Sequence, residues 1–129
     1  MAAITPIPGF IVLLYLILQT IPAASAMTCN ERSSAVTEAH NQLRHASSEE
    51  NFSRAKHYAW RADNALDRAT KEAAECDCDK AHRDFKSAAL YARRAKSAKD
   101  PHQLSSAMDR ALHEFNSASR ALHLCSREQ

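Results

Sequence analysis

Four cysteines, Cys29, Cys76, Cys78 and Cys125, are the residues in this chain best equipped for chemistry. Forty-six residues lie between Cys29 and Cys76, and again forty-six between Cys78 and Cys125, with Asp77 alone between the two blocks. Thiols in such a frame can do three things: close disulfides, hold a metal, or exchange electrons. Redox chemistry calls for Cys-x-x-Cys at a helix start, where the thiol pKa falls. Cys76-Asp77-Cys78 has a shorter spacing, and its aspartate opposes the thiolate. Zinc sites favour Cys-x2-4-Cys pairs, although four cysteines with His82 and His123 nearby keep a thiolate metal site as the alternative. Two disulfides are the leading expectation. Equal spacing makes Cys29–Cys76 and Cys78–Cys125 the natural pairing, but spacing alone leaves cross-pairing open.

The remaining chemistry is sparse. None of the seven histidines falls in a His-Glu-x-x-His or Glu-x-x-His pattern. His57 and His113 take outward phases with His123 near them, His40 and His82 flank the apolar seam, and His45, His57 and His102 lie toward one pole. The chain has no heme attachment motif, phosphate loop, nucleophile elbow or paired-carboxylate pattern, so no enzyme and no cofactor is expected. Asn51-Phe52-Ser53 matches a glycosylation sequon. The surface offers Tyr58, Trp60, Leu90, Tyr91 and Leu112, all off the strict seams, as a candidate docking patch for a protein partner or a second copy.

The elements that position these residues follow from a repeat. Sliding the second block by 49 positions onto the first aligns Ala39 with Ala88, Leu43 with Ala92, Ala46 with Ala95, Ala62 with Ala111, Leu66 with Phe115, Ala69 with Ala118 and Ala73 with Leu122. This reads as two copies of one helical hairpin, residues 28–76 and 77–125. From Met27 onward the chain holds 20 alanines, one proline and no glycine, an all-helical composition. The first helix is expected to begin at Thr28, with Glu31 completing a capping box. The second carries Phe52, Ala55, Ala59, Ala62, Leu66, Ala69, Ala73 and Cys76 in alternating steps of three and four, a coiled-coil type of seam. The third runs Cys78, Ala81, Phe85, Ala88, Ala92, Ala95, with Asp77 as its expected N-cap. Asp100-Pro101-His102-Gln103 starts the fourth, which continues Leu104, Met108, Ala111, Phe115, Ala118, Leu122, Cys125.

No Gly or Pro marks a turn at residues 76–78. A continuous helix there would rotate the second seam by about 200° and leave both hairpins half exposed. A reversal at Asp77 instead folds the seams together as an up-down-up-down four-helix bundle. The bundle is the expectation and an extended double hairpin the alternative.

Upstream, Phe10-Ile-Val-Leu-Leu-Tyr-Leu-Ile-Leu18 followed by Ala24-Ser25-Ala26 reads as a secretory signal cleaved after Ala26, leaving one domain at 27–129. The run is shorter than the roughly 20 apolar residues of a membrane span. No Lys or Arg precedes Arg32, which keeps an uncleaved membrane anchor as the alternative. Net charge is +2 with signs mixed along every segment, unlike the clustered basic face of a nucleic-acid binder. The sequence thus points to a periplasmic or secreted, non-enzymatic binding or structural protein of unknown partner, free of the membrane once cleaved. Metal binding at the cysteine pole is the alternative.

Overall fold

A computed structural model describes residues 29–128. The signal-like segment and the expected cap at Thr28 lie outside the described residues. Four helices form, with no strand among those residues: α1 (Ser34–Ser48), α2 (Phe52–Glu75), α3 (Asp79–Lys96) and α4 (Pro101–Glu128).

The start of α1 departs from the sequence expectation. Its N-cap is Ser33, whose Oγ accepts from Val36 N and donates to Glu72 Oε2 on α2 at 2.6 Å. Residues 29–32 instead form a turn in which Asn30 Oδ1 accepts from Arg32 N and Asn30 O from Ser33 N. Cys29 is tied to Cys76 there, and the turn brings Glu31 to His123 on α4, 2.7 Å between Oε1 and Nδ1. These tertiary ties engage Glu31 away from a local capping role.

The starts of α2 and α4 follow side-chain capping rules. Asn51 Oδ1 accepts from Arg54 N at the head of α2, and Asp100 Oδ1 accepts from Gln103 N at the head of α4. Gln103 Oε1 accepts from Lys99 N, one residue ahead of the N-cap that a capping box would engage.

Asp77 does not cap α3. Its φ is +61°, left-handed backbone, and it is the C′ residue of α2. Cys78 N bonds to Ala73 O and Asp77 N to Ala74 O, the pair of bonds that defines a Schellman ending. The residue before α3 is Cys78, with no side-chain cap. A helix running through residues 76–78 therefore does not form. α3 packs against α2, with Arg93 at Asp63 and His82 at Thr70.

Each helix packs on the next, and α1 also meets α4. Every aligned pair of the repeat, from Ala39 and Ala88 to Ala73 and Leu122, is buried. The pairs are unequal in size. Leu43 faces the interior where its counterpart is Ala92, and Val36, Ala59 and Leu66 correspond to Phe85, Met108 and Phe115. The four largest fully buried side chains, Phe85, Leu43, Leu66 and Met108, stand among many alanines. Alanine lets helix backbones come close, but each residue removes little apolar area from water.

Among the described residues, two polar side chains, Asp63 and Gln42, are buried as well. Asp63 receives Arg93 Nε at 3.2 Å and lies 3.6 Å from Lys96 Nζ, so its carboxylate is matched twice. Gln42 donates to Glu38, while its Oε1 has no partner among the described residues.

Candidate functional site

The geometry of the cysteine pole follows from the helix ends. Cys76 closes the last turn of α2, the left-handed step at Asp77 turns the chain, and Cys78 precedes α3. Cys29 lies ahead of α1 and Cys125 near the end of α4. Two disulfides form, Cys29–Cys76 with Cα atoms 5.2 Å apart and Cys78–Cys125 with Cα atoms 6.0 Å apart. Each spans 47 positions. The two bridges are neighbours: sulfurs of Cys29, Cys78 and Cys125 all lie within 4.8 Å of one another. In this state the sulfur valences are engaged in S–S bonds, and a divalent ion would need them as thiolates. His123, one of the two histidines considered with this pole, is held by Glu31. His82 points to Thr70 O at 3.1 Å. Two disulfides fit an oxidising, extracytoplasmic environment. No helix of the described residues is long and apolar enough to cross a membrane.

The five surface candidates separate into grooves and ridges. Tyr58, Tyr91 and Leu112 are half-buried and pack on the core, whereas Trp60 and Leu90 expose 46% and 45% of their surface. Tyr58 stacks on His45 across the α1–α2 groove, centroids 5.1 Å apart. His57 sits tilted beside Tyr58 and stacks on Trp60 at 5.7 Å. Four rings from α1 and α2 thus form one strip, His45–Tyr58–His57–Trp60. Tyr91 lies in the α3–α4 groove between Arg94 and Arg110, and Leu112 lines a groove with Asn41, Arg44 and His45 of α1.

Of the three histidines expected near one pole, His45 and His57 share the ring strip through Tyr58, while His102 lines the Tyr91 groove. His40 stacks on Phe115, a packing role. Asn51 of the sequon is exposed, with its side-chain oxygen engaged as the cap of α2.

Sequence reasoning missed two electrostatic features. One is Asp63, whose cations sit 30 and 33 positions downstream with no local signal to announce them. The other is Asp84 on α3, bonded to Lys80 and Ser117 at 2.8 Å each. Burial pushes the Asp84 carboxyl up. The bonds from Lys80 and Ser117, with the positive charges of Lys80 and Arg83, outweigh that and hold it below the ordinary carboxylate value.

Comparison with protein-family models, curated proteins and solved structures finds no match for this chain.

Proposed function

We propose that this chain is an exported, non-enzymatic binding protein, an up-down-up-down four-helix bundle of two disulfide-closed hairpins whose ring strip docks a protein partner. The antiparallel arrangement is supported by contacts along each helix pair. Ser33 and Glu72 pair α1 with α2, Arg93 and Asp63 pair α2 with α3, Asp84 and Ser117 pair α3 with α4, and His40 and Phe115 pair α4 with α1. Export is supported by the buried disulfides and by the signal-like segment ending at Ala26. Intact-mass measurement of the exported protein tests that part, with a mature chain beginning at Met27 as the expected result.

The observation that carries the binding role is Trp60. A tryptophan left nearly half exposed, on a helix whose opposite face is locked into the core and with His57 stacked beside it, is an anchor of the kind interfaces use. Trp60→Ala should release the native co-purifying partner, or reduce a self-associated form on gel filtration, with helicity unchanged. Identical partners and identical elution volume would reject the strip as a docking surface.

A second reading, metal binding at the cysteine pole, is favoured by the clustering of three sulfurs within 4.8 Å. It requires reduced cysteines. Thiol counting with metal analysis on protein isolated without reductant separates the two: no thiol and no metal for the first, four thiols and bound metal for the second.

A further inference from the structure

The two hairpins repeat each other in the core but differ in the groove between their helices. In the first, Tyr58 of α2 stacks on His45 of α1 across the groove. Forty-nine positions on, the counterparts are Ala107 and Arg94. The methyl group of Ala107 cannot fill the space a phenol ring occupies in the first hairpin. The α3–α4 groove is therefore open, with a volume of about 570 Å³.

The walls of this opening carry a consistent chemistry. Tyr91 is half-buried, and two guanidiniums converge on its ring, Arg94 from α3 and Arg110 from α4, with Cζ atoms 5.1 and 5.7 Å from the ring centroid. Arg110 Nη1 also donates to the Tyr91 hydroxyl at 3.5 Å. His102 and Ser106 complete the rim, and no carboxylate lines it. On α3, Lys80 pairs with Asp84, Arg93 with Asp63 and Asp67, and Lys96 with Asp63, whereas Arg83 and Lys86 stay outside such pairs among the described residues. Arg94 and Arg110 make no such ion pair among the described residues. A guanidinium held against an aromatic ring keeps its in-plane N–H donors free for an oxyanion, in the fork geometry that matches phosphate and sulfate.

We propose that the α3–α4 groove is a binding site for a phosphate or sulfate ester, with Arg94 and Arg110 gripping the tetrahedral oxyanion and Tyr91 holding both guanidiniums in place. The remaining volume accommodates a body of monosaccharide size. The site lies apart from the ring strip on α1 and α2 and does not depend on it.

The test is a ¹H–¹⁵N chemical-shift titration of the disulfide-intact mature chain at constant ionic strength. The probes are inorganic phosphate, inorganic sulfate, glycerol phosphate, a monosaccharide sulfate, and acetate as the carboxylate control. Saturable shifts confined to residues around Tyr91, Arg94 and Arg110 are expected with the tetrahedral anions, and the two esters identify which one the groove prefers. Arg94→Gln and Arg110→Gln should each weaken binding by about tenfold, the loss of one charge-assisted contact. Arg94→Lys, which keeps the charge and loses the fork, should recover only part of it. Arg61→Gln, at the equivalent position to Arg110 in the first hairpin, should leave binding unchanged and shows whether net charge alone matters. Shifts that rise linearly without saturating, equal response to acetate, or equal weakening by Arg61→Gln would overturn the proposal.

Discussion

Asp77 occupies backbone that an L-residue with a Cβ enters at a cost of about 1–2 kcal/mol, and aspartate tolerates it better than most. Replacing it with glycine removes the Cβ conflict and adds unfolded-state entropy, two effects of opposite sign. The first is the larger at a C′ position, so Asp77→Gly should raise stability by about 0.5–1 kcal/mol, read as a higher urea midpoint with unchanged slope. Asp84 gives the pH signature of the fold. Its carboxyl is held below the ordinary value in the folded state, so its contribution is present above the unfolded pKa of about 3.9 and is lost as pH falls through the lower folded value. Between about pH 5 and pH 2, urea midpoints of the parent protein should therefore fall more steeply than those of Asp84→Asn. Parallel curves would show that the Lys80–Asp84–Ser117 contacts contribute nothing to stability.

At the scale of helices, the core depends on a few large side chains set among alanines. Leu66 on α2 is fully buried, and Leu66→Ala should cost about 2–5 kcal/mol, because an alanine-rich interior has little side-chain mass with which to refill the space. A loss below about 1 kcal/mol in urea unfolding would mean that α2 is not packed as described. The seam of α2 was legible in the sequence because Ala55, Ala59, Ala62, Leu66, Ala69 and Ala73 follow the helical period, and all of them are buried. The head of α4 was legible for a similar reason: Asp100 and Gln103 act within four residues of each other. The head of α1 was not. Thr28 and Glu31 have capping-box spacing, yet Glu31 is drawn to His123, 92 positions away, and Ser33 takes the capping role with Glu72 behind it. The role of Asp77 was misread for a subtler reason. Aspartate favours both an N-cap and left-handed backbone, and only the neighbouring hydrogen bonds decide between them. Asp63 and the Tyr91 groove rest on long-range pairings that no local period encodes.

For the whole molecule, four packed helices share an alanine-rich core in which each residue removes little apolar area from water, and the two disulfides offset that thinness. Closing a loop of 47 positions removes about 4 kcal/mol of chain entropy from the unfolded state for each disulfide, on the entropic model of disulfide stabilisation. The contribution belongs to the pairing of Cys29 with Cys76 and Cys78 with Cys125, which the equal cysteine spacing suggested. The measurement that tests this most directly is non-reducing peptide mapping of the native exported protein. A protease that cuts before aspartate separates Cys76 from Cys78 at Asp77, so the two bridges can be assigned independently. Peptides linking Cys29 to Cys76 and Cys78 to Cys125, with no free thiol, are the predicted result. Bridges joining one hairpin to the other, or four unmodified thiols, would contradict the account.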